Sequence, residues 1–160
     1  TIKGSDAGAM GIPQFIPSVY RRYAVDFDGD GKLNLWESPA DAIGSIANYL
    51  KVYGWKPDEP VAVGAQVSGD DFRELLLQDI KPHVQVAELQ KIGVIPVQEI
   101  PGENLVSLFA LGEGDEARYW LALNNFYVIT RYNRSNYYAM SVYELGRAIR
   151  EVRETRSAAK

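Results

Sequence analysis

The chain has 160 residues, 46% of them hydrophobic and 24% charged, which supplies a packed core and excludes compositional disorder. Its net charge of −4 and pI near 5.1 argue against a nucleic-acid polyanion as the main partner. It has no cysteine, so disulfides, thiolate zinc sites and thiol nucleophiles are excluded, and no apolar run is long enough to span a bilayer.

The first 19 residues are rich in glycine and small side chains. They end in Ile12-Pro13-Gln14-Phe15-Ile16-Pro17, a loop that leads into a short predicted helix near Ser18–Ala24. The opening Thr1-Ile2-Lys3-Gly4 has no initiator Met or signal peptide, the start expected of a fragment or processed product with any export signal or anchor upstream. After an acidic, glycine-punctuated loop, Ser38 is placed to cap a helix that starts at Pro39. Ile43, Ile46, Ala47 and Leu50 recur there at three- and four-residue spacing and predict one buried face. Gly54 and Pro57 mark its end.

Beyond Lys56 the pattern changes. Val61–Val63 reads as a short strand, and Asp71–Ile80 and Val86–Ile92 as short helical segments separated by Pro82. Asn104–Leu111 and Ala117–Leu123 are β-like runs joined by Gly112-Glu113-Gly114-Asp115, which has hairpin-turn chemistry. Helical character returns through Phe126–Tyr132 and Tyr138–Arg153. The predicted organisation is a core part over 1–57, a small α+β insertion over 58–123 and a return to helical core over 124–160.

The run Asp26-Phe27-Asp28-Gly29-Asp30-Gly31-Lys32-Leu33-Asn34-Leu35-Trp36-Glu37 satisfies the twelve-residue D-x-D-x-D-G-x5-E pattern of a calcium loop. Calcium takes six to eight oxygens, so the carboxylates of Asp26, Asp28 and Asp30 are expected to converge on one ion. Gly31 permits the turn that brings the Lys32 carbonyl inward. Asn34 contributes directly or through water, and Glu37 closes the shell with both oxygens. A metal-free acidic turn would leave this clustering of like charge unexplained. A single loop suits a structural clamp; a sensor uses paired loops.

Two other features read as surface. His83 has no second histidine to form a site, and Arg147, Arg150, Arg153 and Arg156 beside Glu151 and Glu154 form a solvated, ion-paired helix face.

The run from Gly4 to Ser18, with Gly8-Ala9-Met10-Gly11 beside Gln14-Phe15, resembles the membrane-bound B type of lytic transglycosylase. The likeness continues through the calcium loop, Asp41–Tyr49 and Asn125–Asn133, and ends near Tyr138–Val142, while 58–123 is loosely covered. The resemblance implies an α+β, mainly α fold: a lysozyme-like core portion with one EF-hand-type calcium loop and a small inserted subdomain. It implies cleavage of the β-1,4 bond between N-acetylmuramic acid and N-acetylglucosamine in peptidoglycan. One glutamate serves as acid and then base, and the sugar's own 6-hydroxyl attacks to give a 1,6-anhydro product.

That glutamate is expected on a helix N-terminal to the glycine-rich run, so no residue of this chain is assigned to catalysis. Glu37 is committed to calcium, and Glu88, Glu99 and Glu103 fall in or near the insertion. By the same resemblance Ser5, Met10, Gln14, Tyr49, Tyr132, Asn133 and Tyr138 line one substrate groove, drawn from both sides of the insertion. The implied cofactor is structural Ca2+. The implied partners are peptidoglycan strands and the N-terminal segment of the same enzyme, in the periplasm or at the outer membrane of a bacterial envelope. The competing reading is a non-catalytic, calcium-stabilised glycan-binding module. A calcium-regulated interaction domain fits less well with a lone loop.

Overall fold

The protein is described here from a computed structural model, covering residues 5–6 and 8–158; Gly4 and Ala7 of the glycine-rich run lie outside the described residues. The chain forms two compact units, Thr1–Trp55 and Lys56–Lys160.

The first unit is built on two helices, α1 (Pro17–Tyr23) and α2 (Pro39–Val52), joined by the acidic loop. Both open on proline, whose missing N–H costs nothing in a first turn. Ser38 caps α2 as expected: its hydroxyl accepts the Asp41 N–H at 3.2 Å. Past the end of α2, Gly54 takes a left-handed φ of 92°, and its N–H returns to the Lys51 carbonyl.

The buried face of α2 differs from the predicted one. Ile43 is 65% exposed and Ala47 is exposed; Asp41, Ala42, Ser45 and Tyr49 are buried instead. The reason is aromatic. Tyr49 packs within 5.0 Å of Tyr23, 4.5 Å of Tyr53 and 5.9 Å of Phe15, ring centre to ring centre, and this cluster outweighs the aliphatic stripe in setting the helix rotation.

The second unit carries a five-stranded antiparallel sheet of β1 (Ala62–Val67), β2 (Val84–Gln85), β3 (Val94–Pro96), β4 (Leu105–Leu111) and β5 (Arg118–Ala122), in the order β2-β4-β5-β1-β3. Alternation sends Val63, Val94, Val106, Leu108 and Leu121 to one face. There they bury against Phe72 and against Val86 and Leu89 of the short helix α3 (Val86–Lys91). The predicted β4–β5 hairpin is present, its turn tightened into one 3-10 turn at Gly114–Glu116. The edge strands β2 and β3 are two and three residues long, too short to show a period in sequence. The helix predicted over Asp71–Ile80 is reduced to a 3-10 segment, Arg73–Leu77. His83 is exposed, as expected, and its ring nitrogens meet the Lys81 carbonyl and the Gln78 side chain.

Two helices follow, α4 (Asn124–Tyr132) and α5 (Asn136–Ala158). Phe126 of α4 stacks on Phe109 of β4 at 4.6 Å, on the sheet face opposite the main core. Helices outweigh strands in length, yet the largest apolar core lies on the sheet. No helix among the described residues is long and apolar enough to cross a membrane.

Asn125 fastens the entry of this unit to α4. Wholly buried, it accepts the Lys56 N–H at 2.9 Å and donates to the carbonyls of Lys56 at 2.7 Å and Glu59 at 3.0 Å. An aspartate there would keep the acceptor and lose both donors, leaving buried carbonyls facing a carboxylate. Asn125→Asp is therefore expected to destabilise the fold by about 2–3 kcal/mol, measured as a lower urea midpoint at unchanged slope.

Candidate functional site

The acidic loop folds on its own side chains. Gly29 and Gly31, at φ 74° and 82°, send their N–H groups to the two oxygens of Asp26 at 2.8 and 2.9 Å. Asp28 accepts the Asp30 N–H and the Ser38 hydroxyl, and Asp30 accepts the Lys32 N–H. The Asn34 oxygen accepts the N–H groups of both Trp36 and Glu37, and its amide lies 3.5 Å from a Glu37 oxygen. Each short polar side chain thus serves a nearby backbone amide, turning the chain tightly enough to gather carboxylates.

Asp41, from the first turn of α2, organises the whole loop. One carboxylate oxygen accepts the Phe27 N–H and the other the Asn34 N–H, both at 2.8 Å. These bonds, from Asn34 first and Phe27 second, hold its carboxyl below the ordinary aspartate pKa although burial opposes them. Oxygens of Asp26, Asp28 and Asp41 lie within 4.8 Å of one another. Asp30 and Glu37, expected as ligands, stand outside that close group. Asp41 was not among the expected residues; the signal for it was Ser38 followed three positions later by a carboxylate, the pattern of a reciprocal helix cap. The donors are all oxygen and the turns are made by glycine, a set that fits a hard cation such as calcium.

The loop also carries the glycine-rich run. Leu35 is fully buried, and its carbonyl accepts the Ile12 N–H at 2.8 Å. Gly11 lies so close that a Cβ there would stand 2.6 Å from the Leu35 oxygen, and its φ is 66°. Met10 and Phe15 bond each other in both directions across the tight turn between them. Gln14 occupies the left-handed region at φ 55°, uncommon for a residue with a side chain, and its amide donates to the Gly11 carbonyl at 2.8 Å. Ser5 is exposed, and its hydroxyl accepts the Ala9 N–H. Met10 is half-buried and Gln14 exposed, whereas Tyr49 is buried in the aromatic cluster behind Phe15.

In the second unit Tyr132 ends α4, Asn133 follows it exposed, and Tyr138 lies in the first turn of α5. Burial, and secondarily the neighbouring Tyr138, raise the pKa of the Tyr132 hydroxyl well above the usual tyrosine value.

Comparison with known proteins is in line with this geometry. The family model described as the transglycosylase SLT domain matches residues 1–147. The chain is 47% identical over 148 residues to membrane-bound lytic murein transglycosylase B of Escherichia coli K12, covering 92% of this chain and 40% of that enzyme. Soluble lytic transglycosylase SltB1 of Pseudomonas aeruginosa superposes with a TM-score of 0.87 at 43% identity, over 96% of this chain and 51% of that one. The Escherichia coli lytic transglycosylase Slt35, solved in complex with calcium, gives 0.84 at 46% identity, over 95% and 47%. The chain thus spans about half, or less, of the length of these relatives.

Two substitutions test the local construction. In Asp41→Asn the amide cannot accept at both positions, so one backbone N–H would face an NH2 group; thermal unfolding is expected roughly 5 °C or more below the parent. Gly11→Ala is expected to cost more than about 1 kcal/mol in chemical denaturation, through the close Leu35 carbonyl and the positive φ together.

Proposed function

Because the chain belongs to the transglycosylase SLT domain family, we propose that it forms the glycan-holding portion of a lytic murein transglycosylase. The observation that carries this reading is the family match across 1–147, with its glycine-rich run anchored on a clamped acidic loop. The reaction cleaves the bond between N-acetylmuramic acid and N-acetylglucosamine. The leaving oxygen takes a proton from a carboxylic acid, and the muramic acid 6-hydroxyl attacks the anomeric carbon to leave a 1,6-anhydro ring.

A general acid of this kind must be a carboxyl kept neutral by a shielded site. The described residues offer none. Asp41 is buried, but its two amide donors favour the ionised form, and every other Asp and Glu among the described residues lies at least partly in solvent. We therefore assign the proton donor to a glutamate outside residues 1–160.

What this chain contributes is binding and orientation. The amide nitrogen of Gln14 is tied to Gly11, which turns its carbonyl oxygen toward a ligand N–H such as that of an N-acetyl group. Met10 opens the same turn and Ser5 heads the turn before it, where glycine and alanine allow close approach of the glycan. Tyr49, buried behind Phe15, acts on the groove through the ring it supports. Tyr132, Asn133 and Tyr138 offer ring faces and polar heads to sugar hydroxyls, with the Tyr132 hydroxyl as a donor.

Calcium is the proposed structural ion, held by Asp26, Asp28, Asp30, the Lys32 carbonyl, Asn34 and Glu37. The oxygen donor set and the gathering of Asp26 with Asp28 support it, as does the calcium complex of Slt35. The bound ion would neutralise the loop and add nothing to the chemical step. We place the enzyme in the bacterial cell envelope, in the periplasm or at the outer membrane, by its likeness to a membrane-bound relative. The region 58–123 is proposed as an insertion in the core.

Residues 1–160 alone, incubated with purified peptidoglycan, are expected to release no 1,6-anhydromuropeptides by mass spectrometry. Release by this chain unaided would place the acid within it. In an enzyme that includes the donor, Tyr132→Phe or Gln14→Ala is expected to lower kcat/KM roughly 5- to 150-fold, the loss of one hydrogen bond in the transition state. Folding should be nearly unchanged. If neither substitution matters, the groove assignment of these two residues fails; binding of glycan without product even when the donor segment is supplied would make the chain a glycan-binding module.

Calcium should raise the melting temperature, since an ion that binds only the folded state stabilises it. Asp28→Ala should remove most of that rise while changing the calcium-free value little.

A further inference from the structure

The sheet of the second unit has two faces, and only one of them is fully used. Val63, Leu108 and Leu121 point into the core, so their neighbours point to the other side. Phe126 of α4 covers that second face at Phe109, and the Tyr143 hydroxyl of α5 donates to the Ala62 carbonyl near the start of β1. Towards Gln66 and Arg118 the face is exposed. There a trough of about 550 Å³ opens, lined by Gly64, Gln66, Val97, Arg118 and Trp120.

Register explains its shape. Trp120 of β5 sits directly opposite Gly64 of β1, and in an antiparallel pair opposite residues share a face. The glycine offers no side chain against the indole, which leaves Val97 room to lean over the strand at that point. A Cβ at Gly64 would stand 3.0 Å from Val97, which walls the trough. Two residues along each strand, on the same face, lie Gln66 and Arg118, both exposed.

Among the described residues no hydrogen bond or ion pair engages the Gln66 amide, the Arg118 guanidinium or the Trp120 indole N–H, and no buried polar side-chain atom lacks a partner. These three heads therefore all face solvent around one aromatic wall.

We propose that this trough is a second saccharide subsite, taking a hexosamine ring of peptidoglycan against Trp120 and the carboxylate of its attached peptide at Arg118. The proposal rests on the reading of the chain as acting on peptidoglycan, and adds a hold on the strand separate from the glycine-rich run. An aromatic wall with a polar rim is how proteins take a pyranose: the apolar ring face lies on the indole, and the edge hydroxyl and acetamido groups meet hydrogen-bonding side chains. The amide of Gln66 both donates and accepts, as an acetamido group requires. The fork of Arg118 matches a carboxylate and would be idle against a neutral sugar.

The test is a titration of 15N-labelled protein with N-acetylglucosaminyl-N-acetylmuramoyl-tetrapeptide, following the Trp120 indole N–H by NMR. The expected result is a saturable shift of that signal together with the Gln66 side-chain amide. Trp120→Ala should weaken the binding at least about tenfold. Arg118→Gln, at an exposed position that folding does not need, should weaken it about three- to tenfold. The same variant should leave binding of chitotetraose, which has no carboxylate, unchanged. Gln14→Ala should leave the Trp120 response in place.

A Trp120 signal that stays fixed while residues of the glycine-rich run shift would overturn the subsite and leave the transglycosylase reading standing. No shift anywhere in the chain would count against both. Free tetrapeptide moving Trp120 as far as the disaccharide-peptide does would assign the trough to peptide and overturn the saccharide proposal.

Discussion

The first unit depends on a carboxylate that faces backbone amides. Asp41 receives the N–H groups of Phe27 and Asn34, one on each oxygen, from positions seven residues apart in the loop that precedes it. Those two bonds fix where the loop leaves α1 and where it re-enters α2. A charge in this position is costly unless its acceptors are filled, and here they are filled by groups that would otherwise be orphaned donors of an irregular segment. The acidic side chains then have a fixed frame on which to gather, and oxygens of Asp26, Asp28 and Asp41 come within 4.8 Å of one another.

From that frame the order passes outward. Leu35, wholly buried, presents its carbonyl to Ile12 and leaves Gly11 no room for a side chain. The turn from Met10 to Phe15 is thereby registered against the loop, and Phe15 locks it to the tyrosine cluster of α2. A loop of small residues would otherwise have many conformations; here one is selected by a hydrogen bond, a steric limit and an aromatic contact acting together. Preorganisation of this kind holds the acidic loop and the glycine-rich run side by side in one short stretch of chain.

Much of this was legible in the sequence because it rests on local chemistry. Ser38 and Pro39 announced the start of α2, the glycines of the loop announced its turns, and Gly112–Asp115 announced the β4–β5 hairpin. What could not be read depended on partners distant in sequence. The rotation of α2 follows from Tyr23, Tyr53 and Phe15, so its aliphatic stripe misled. The edge strands β2 and β3 exist because β4 and β1 offer them free edges; by themselves they have no pattern. Asp41 was not singled out in the sequence, and only the loop wrapped over it reveals its two donors. The trough beside Trp120 likewise needs the β1–β5 register, which sets Gly64 opposite a ring 56 positions away. The proposed glycan contacts Ser5, Met10, Gln14, Tyr49, Tyr132, Asn133 and Tyr138 rest on family resemblance, since nothing in their spacing marks them.

Asp41, acting through the acidic loop, positions the glycine-rich run. Amide hydrogen exchange resolves it residue by residue, because protection reports the local opening of each hydrogen bond. In Asp41→Asn, protection should fall at Phe27 and Asn34 and also at Ile12, whose acceptor is the Leu35 carbonyl, while Leu121 and Val106 of the sheet exchange as before. Protection retained at Ile12 despite its loss at Asn34 would contradict the account, and would show that the run holds its shape without the loop.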